Sequence, residues 1–378
     1  MTSRQATNRP QAARVAISAN CLAWDWGGIP KNVDRIVREL ARDDSLEIEL
    51  LANASAPFTD VPGVRQAWRR VRGGVAWRHA FVLPRLVNRR PDVFWAPEGV
   101  MPLHVPVPSV LTVHDLAPLL FPGSKPPRET FSFRTGVRRS ARSATRVIAV
   151  SETTAHDAER LLGVSRDRLR VIPNGVDDAF RPGDREQAKA AVRARWGVEA
   201  PFVLHVGSLE PRKGLDVLLD AAEAAAHASD GWFLVLAGRR GFRSEDIVRR
   251  AQGASWCKLL ERVDDRELVD LYRAADVLAA PAHYEGFGIA PLEAMACGTP
   301  VVIAAGSGGL EEVSGSASVV VADRSAGAWR RGIADARARP AGLLDSGMRL
   351  ARAYRWPEVA MRTRGVLLEA AYRAEPLI

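Results

Sequence analysis

Two carboxylates flank a glycine-rich turn in the second half of the chain. Glu285 precedes the turn, Gly286 and Gly288 lie within it, and Glu293 follows one helical turn later. The glycines let the backbone approach a ligand closely, and the free amides at the start of the following helix suit a phosphate group. The spacing therefore predicts a phosphate site. The alternative is that Glu285 is a solvated loop residue and Glu293 complements the helix dipole.

Other candidate groups also follow predicted strands. Arg212 and Lys213 lie where a strand gives way to a helix, and they could neutralise a phosphate. His114 and Asp115 follow the strand at 109–113, at the carboxyl end where open α/β sheets bind ligands. For both pairs the alternative is an ordinary structural or exposed role.

A glycine pair follows the first predicted strand. That strand covers residues 14–20, Gly27 and Gly28 come next, and an amphipathic helix is predicted over 33–41. Strand, glycine pair and helix open a Rossmann-like unit, in which the backbone could approach a phosphate. Because there is no full G-x-G-x-x-G, a tight structural turn is an equal alternative.

Short apolar runs alternate with helical patterns along both halves of the chain, which is typical of parallel α/β sheets. In the first half, further strands are predicted at 47–52, 92–95, 109–113 and 146–150. In the second half they are predicted at 202–206, 233–238, 277–280, 300–303 and 318–321. The length of 378 residues suits two domains of ordinary size.

Three segments resemble one known family. The string Glu-Gly-Phe-Gly-Ile-Ala-Pro-Leu-Glu-Ala-Met-Ala-Cys-Gly-Thr-Pro-Val-Val at 285–302 closely resembles the signature of retaining glycosyltransferases of family 4. Glu-Pro-Arg-Lys-Gly at 210–214 resembles another motif of that family. Thr-Val-His-Asp-Leu-Ala-Pro at 112–118 is similar to its mannosyltransferase-like members. The resemblance covers residues 14–373.

The resemblance implies the α/β GT-B fold, with two Rossmann-like domains whose parallel sheets face a central cleft. The expected organisation is a disordered leader at 1–13, an acceptor domain at 14–175, a nucleotide-sugar donor domain at 176–355 and a final helix at 356–378 that returns to the first domain.

The family also implies roles for individual residues. The catalytic set is His114, Glu285, Arg212 and Lys213. The donor-binding set is Gly27, Gly28, Val263, Gly286, Phe287, Gly288, Ile289 and Glu293. The acceptor-side set is Pro30, Lys31 and Asp115. Ser208 stands where many relatives have an arginine, which leaves Arg212 and Lys213 to neutralise the donor diphosphate.

No metal and no cofactor are expected. The sequence has no Asp-x-Asp motif, and its Asp-Asp pairs at 43–44, 177–178 and 264–265 lie in turn or helix-start contexts. These pairs are interpreted as caps rather than as metal ligands. The only small molecules expected to bind are therefore the nucleotide diphosphate sugar donor and a hydroxyl acceptor.

The net charge of +9 raises the question of an anionic partner. Arginines cluster over residues 65–90 and again, at helical spacing, over 134–142. A solvated basic face is the default interpretation, and weak peripheral contact with an anionic membrane is the minority one. No nucleic-acid-binding motif is present, so nucleic acid is not an expected partner.

Several features predict a cytoplasmic protein. Cys21, Cys257 and Cys297 are widely spaced in apolar contexts and read as reduced core residues. No stretch approaches the length that spans a bilayer, and the polar N-terminus lacks a signal-peptide core. Peripheral contact at the inner face of the membrane is the alternative location, and the expected state is a monomer or homodimer.

The predicted enzyme is a retaining hexosyltransferase. GDP-mannose is the first expected donor and a UDP- or dTDP-sugar the next. The acceptor is a hydroxyl of a small molecule, a glycan or a lipid-linked glycan, facing Trp24 and Trp26. The alternatives are a nucleotide-sugar epimerase with the same fold and a basic-surface binding protein without catalysis.

Overall fold

The structure is a computed structural model that describes residues 12–23, 27–121, 123–199, 201–228 and 230–372. Residues 1–11 of the predicted leader lie outside the described part of the chain. The same holds for Trp24 and Trp26, which were expected to face an acceptor.

The first half forms a seven-stranded parallel sheet in the order β3-β2-β1-β4-β5-β6-β7. Its strands are β1 (Ala13–Ser18), β2 (Leu46–Ala52), β3 (Arg65–Trp68), β4 (Val93–Ala96), β5 (Ser109–Val113), β6 (Arg146–Ala149) and β7 (Leu169–Val171). Every pairing in it is parallel. This strand order is that of a Rossmann-like domain with one added edge strand.

The second half forms a six-stranded parallel sheet in the order β10-β9-β8-β11-β12-β13. Its strands are β8 (Phe202–Val206), β9 (Phe233–Ala237), β10 (Cys257–Leu260), β11 (Val277–Ala280), β12 (Val301–Ala304) and β13 (Val319–Val321). The order matches the doubly wound arrangement that the first sheet also shows. The prediction of two Rossmann-like domains is confirmed.

Helices cover both faces of the sheets. Those of the first half are α1 (Gly28–Leu40), α2 (Gly74–Trp77), α3 (Leu83–Arg89), α4 (Ala117–Leu120), α5 (Pro127–Ser143) and α6 (Glu152–Asp157). Those of the second half are α7 (Arg185–Trp196), α8 (Leu215–Ala228), α9 (Glu245–Gln252), α10 (Asp265–Ala274), α11 (Ile289–Ala296), α12 (Gly309–Ser314), α13 (Ala326–Arg337), α14 (Ala341–Arg352) and α15 (Trp356–Tyr372). Single π-helical turns at Arg78–Val82 and Ala158–Leu162 extend α2 into α3 and lengthen α6.

The last helix, α15, packs on the first sheet although the chain has just left the second domain. It contacts α1, β1, β4 and β5, and buried Val359 and Leu367 join the core formed by those elements. Glu369 pairs with Arg146 and Arg170. The helix therefore ties the end of the chain to the domain in which it began.

The structure also bears on the cysteines and on membrane-spanning helices. All three cysteines are free and buried, as the sequence predicted. Among the described residues, no helix combines the length and apolar character needed to cross a membrane.

Each sheet has a point where the strand order reverses, between β1 and β4 in the first and between β8 and β11 in the second. Chains leaving neighbouring strands in opposite directions open a crevice there, at the carboxyl ends of the strands. The two crevices face each other.

Candidate active site

A cleft of about 810 Å³ lies between the two sheets. The first domain contributes the start of α1 and the segment after β5, and the second contributes the ends of β8 and β11 and the start of α11. Every residue of the three predicted sets lines it: Gly27, Gly28, Pro30, Lys31, His114, Asp115, Arg212, Lys213, Val263, Glu285, Gly286, Phe287, Gly288, Ile289 and Glu293. Residues predicted from separate motifs thus meet around one cavity.

Glu285 lies between two cations on the donor-domain side of this cleft. Its carboxylate accepts a hydrogen bond from Arg212 at 3.2 Å and one from the Lys213 ammonium. Arg212 also donates to the Tyr284 carbonyl at 2.7 Å and to Glu210 at 3.0 Å. Each of the three side chains in the Glu285 cluster is less than a fifth exposed. The charges therefore interact in a poorly solvated space.

This environment fixes the ionisation of the cluster. Burial alone would raise the pKa of Glu285, but Lys213 and Arg212 outweigh it and bring that pKa down to about 2. Burial would likewise lower the pKa of Arg212, yet Glu285 and Asp115 raise it above its ordinary value. Glu285 is consequently an anion and Arg212 a cation at neutral pH.

Glu293 is the second predicted carboxylate, and it lies one turn inside α11. It is 3% exposed and accepts hydrogen bonds from the Tyr272 hydroxyl at 2.9 Å and from the Lys31 ammonium at 2.7 Å. Burial raises the pKa of Glu293, although Lys31 and Tyr272 act in the opposite direction. The carboxylate is held in place by partners from both domains.

Lys31 was expected on the acceptor side, but it reaches across the cleft to the donor domain. Besides Glu293, its ammonium lies 3.7 Å from Asp265 and 4.5 Å from the centre of the Phe180 ring. Burial would lower the pKa of Lys31, but Glu293 and Asp265 raise it overall. The lysine links the start of α1 to a carboxylate of the predicted donor-binding set.

The glycine-rich turn also contacts the first domain directly. A Cβ atom at Gly286 would lie 1.8 Å from the carbonyl oxygen of His114, so no larger residue fits there. The Gly286 carbonyl accepts hydrogen bonds from Ser151 at 2.7 Å and Thr154 at 3.1 Å. Ser151 also caps α6 by accepting a bond from the Thr154 amide. The residue that caps α6 thus also makes a contact between domains.

A second contact of this kind involves Glu312 of α12. Its carboxylate accepts hydrogen bonds from the backbone amides of Glu152 and Thr153, at 2.8 and 2.7 Å, and from the Thr153 hydroxyl at 2.6 Å. The free amides at the start of α6 are therefore satisfied by a residue of the other domain. Together with Lys31, these bonds hold the cleft in a closed arrangement.

His114 and Asp115 occupy the floor of the cleft. The Nε2 atom of His114 donates to the Pro97 carbonyl at 2.9 Å, because a carbonyl only accepts, and this leaves Nδ1 as an acceptor in the neutral ring. Burial lowers the pKa of His114 despite that bond. Asp115 accepts a bond from the Ala117 amide at 3.0 Å. A neutral histidine therefore lies opposite the cationic cluster.

Two polar residues at the cleft region were missed by the sequence analysis. His205 is 2% exposed in β8. Glu98 follows β4, accepts a 2.5 Å bond from the Cys21 amide, and has a pKa that burial raises to about 7. Both lie at or next to the carboxyl end of a strand at a reversal point. The carboxyl end of a strand, which was the signal for His114, would have indicated both residues.

The described residues contain no group of three or more His, Cys, Asp or Glu side chains placed to hold a metal ion. The Asp264 carboxylate caps α10 within a capping box with Glu267, and Asp43 accepts bonds from the Ser45 amide and from Arg364. These aspartates have structural partners.

Comparison with known proteins identifies the family. Residues 26–180 match the sequence profile described as Glycosyltransferase Family 4, and residues 187–344 match Glycosyl transferases group 1. The chain is 34% identical over 289 residues to D-inositol 3-phosphate glycosyltransferase of Xylanimonas cellulosilytica. The aligned region covers 71% of this chain and 67% of that relative. The chain belongs to glycosyltransferase family 4. The resemblance seen in the sequence is thereby confirmed.

A further relative and a solved structure are similar to this glycosyltransferase. The relative is D-inositol 3-phosphate glycosyltransferase of Segniliparus rotundus, at 33% identity over 74% of this chain and 63% of the relative. The chain thus spans about two thirds of the length of these relatives. Sucrose-phosphate synthase from Thermosynechococcus elongatus superposes with a TM-score of 0.77, at 21% identity, over 96% of this chain and 100% of that chain. This likeness shows the fold.

Proposed function

We propose that this glycosyltransferase moves a hexose from a nucleotide diphosphate sugar to an acceptor hydroxyl, with retention of the anomeric configuration and without a metal ion. The observation that carries the proposal is the cluster of Arg212, Lys213 and Glu285 beside the start of α11. Two cations and a set of helix-start amides converge where a leaving diphosphate would develop charge.

In the proposed reaction, the bond between the anomeric carbon and the diphosphate oxygen breaks, and the bonding electrons leave with the diphosphate. Arg212 and Lys213 offset that charge, together with the amides of Gly288 and Ile289. The acceptor oxygen forms its bond on the face that the diphosphate leaves, and the proton of the acceptor hydroxyl passes to the departing diphosphate oxygen. A covalent sugar intermediate on Glu285 is not part of the proposal.

The remaining residues of the cleft position the donor. Glu293 accepts bonds from the ribose hydroxyls, replacing the bond that it now receives from Lys31. Glu285 accepts bonds from hydroxyls of the transferred sugar, which draws it away from Lys213. The base lies near Val263, and the sugar lies near His114. Each of these roles is a proposal that rests on the family motifs and on the position of the residue in the cleft.

For the substrates, GDP-mannose stays the first donor to test, followed by UDP- and dTDP-hexoses. The names of the two relatives support a polyhydroxylated, phosphorylated ring such as inositol 3-phosphate as the first acceptor. Sugars, glycans and lipid-linked glycans follow. A cytoplasmic location, with weak contact to an anionic membrane surface, and a monomeric or dimeric state complete the proposal.

The test is a panel of GDP-, UDP- and dTDP-hexoses, each with and without inositol 3-phosphate and in EDTA. Acceptor-dependent release of nucleoside diphosphate from one donor is expected, and it should persist in EDTA. Activity that is lost on chelation and restored by Mg²⁺ or Mn²⁺ would overturn metal independence. Conversion of the donor sugar without net release of nucleoside diphosphate would instead indicate an epimerase.

A further inference from the structure

His205 has an unsatisfied nitrogen beside the proposed diphosphate site. Its Nδ1 atom lies 3.0 Å from the Ala279 carbonyl and must carry the proton, because a carbonyl only accepts. In the neutral ring, Nε2 is then an acceptor. Within the described part of the chain this buried atom has no hydrogen-bond partner. A buried polar atom without a partner costs folding free energy and is uncommon in native proteins.

The nitrogen faces Lys213 across a small space next to the cleft. A Cβ atom at Gly207 would lie 3.4 Å from the Nε2 atom of His205 and 3.8 Å from the Nζ atom of Lys213. Since glycine has no such atom, the ring and the ammonium border the same empty volume. His205, Gly207 and Lys213 all line the cleft.

The protonation state of the ring suits an acceptor. Burial lowers the pKa of His205 to about 4, and Lys213 acts in the same direction, while the Ala279 bond and Glu285 oppose them. At neutral pH the imidazole is uncharged and does not repel an ammonium. Lys213 has three N–H donors, and its bond to Glu285 uses only one of them.

We propose that His205 is a positioning residue for Lys213. When hydroxyls of the donor sugar bind the Glu285 carboxylate, the Lys213 ammonium donates one hydrogen bond to Nε2 of His205. Its other N–H groups then point to the donor diphosphate. The Ala279 carbonyl fixes the tautomer that makes this possible. This inference rests on the proposed function, since it requires a diphosphate at this position.

The test is a double-mutant cycle on nucleoside diphosphate binding by the full chain, measured by calorimetry with UDP, GDP and dTDP. His205→Phe keeps a ring in β8 and removes the acceptor. It should weaken binding about fivefold, the worth of one hydrogen bond. In a Lys213→Ala background the same change should alter affinity less than twofold, because the lysine that it positions is gone.

Val203→Ala is the matched control, since Val203 is fully buried two residues earlier in β8. It should lower the unfolding midpoint without changing affinity for the nucleotide. If His205→Phe binds as tightly as the wild type, or loses the same affinity in both backgrounds, the positioning role is wrong while the proposed function stands. If the wild type binds none of UDP, GDP and dTDP, the proposed diphosphate site itself fails.

Discussion

At the scale of single residues, the site is a set of charges that satisfy one another before any substrate is bound. Glu285 pairs with Arg212 and Lys213, Glu210 pairs with Arg212, and Glu293 pairs with Lys31. A donor would therefore exchange partners with these residues rather than find them free. The free energy of donor binding therefore reflects the difference between the ionic contacts that the donor makes and those that it replaces.

Lys213→Ala should weaken nucleoside diphosphate binding at least tenfold, because one charge-assisted contact to a phosphate contributes about 1.5–3 kcal/mol. Lys213 is a cleaner target than Arg212, which also holds the Tyr284 carbonyl. Calorimetric titration measures the effect. Lys189→Ala is the control, since Lys189 pairs only with Glu186 on the exposed side of α7. Equal affinity for Lys213→Ala and wild type would contradict the assignment of this cation.

The depressed pKa of Glu285 predicts a pH dependence of stability. Its folded-state pKa of about 2 lies below the ordinary 4.5, so the unfolded chain binds more protons between these values. The contribution is complete above about pH 4.5 and is lost as the pH falls towards 2. Between pH 5 and pH 3, the wild type should lose about 2 kcal/mol more stability than Glu285→Gln.

Urea unfolding at both pH values measures this difference. The control is Glu199→Gln, which removes an exposed carboxylate paired with Arg193 and should leave the pH dependence as in the wild type. Parallel loss of stability in wild type and Glu285→Gln would show that Glu285 titrates normally.

At the scale of elements, the helix starts at the cleft serve both folding and assembly of the site. Ser151 caps α6 and binds the Gly286 carbonyl of the other domain. Ser325 caps α13 by accepting a bond from the Ala328 amide at 3.3 Å, away from the cleft. The two serines have the same capping role and differ in the contact between domains.

Ser151→Ala and Ser325→Ala should each cost about 1 kcal/mol of stability through loss of the cap. Only Ser151→Ala should also weaken nucleoside diphosphate binding, by about three- to fivefold, because the glycine-rich turn loses one of its two side-chain anchors. Thermal unfolding and calorimetry separate the two effects. A similar loss of affinity in both variants would mean that the cap acts through stability alone.

Elements were predictable where one local pattern determines them. Strands β5, β8 and β11 have the predicted bounds because each is a short, fully apolar or nearly apolar run. Strand β3 was missed since Arg65–Trp68 is a polar edge strand with one buried residue. Helix α1 begins at Gly28, five residues earlier than predicted, because Pro30 is tolerated in a first turn.

The site was predictable as a set of residues but not as a set of contacts. The motifs brought Glu285, Arg212 and Lys213 to one sheet edge, where strand topology must place them. The bond from Lys31 to Glu293 joins residues 262 positions apart, and no local pattern specifies it. His205 was missed because a histidine within an apolar strand looks like a core residue until its neighbours are known.

At the scale of the whole molecule, contacts across the cleft connect the two domains. Lys31 binds Glu293 from one side, and Glu312 binds the start of α6 from the other. In the proposed function, donor binding displaces Lys31 from Glu293. This coupling predicts that closure and donor binding depend on each other.

Lys31→Met combined with Glu312→Gln should open the protein, because it removes the Lys31–Glu293 ion pair on one side of the cleft and, on the other, one of the two carboxylate oxygens that accept hydrogen bonds from Glu152 and Thr153. Small-angle X-ray scattering should show a larger radius of gyration than in the wild type, and a bound nucleoside diphosphate should reduce it. Lys189→Met, which breaks a pair within α7, should leave the radius unchanged. An unchanged radius in the double variant would show that other contacts maintain closure.

The central claim is sugar transfer with retention, and the anomeric configuration of the product tests it most directly. The donor to use is the one that releases nucleoside diphosphate in the panel of nucleotide sugars. Time-resolved proton NMR should follow this donor and its acceptor from the first turnover. For an α-linked donor such as GDP-mannose, we predict an α-linked product appearing in step with free nucleoside diphosphate. A β-linked first product, or loss of donor without any new glycosidic bond, would contradict the account.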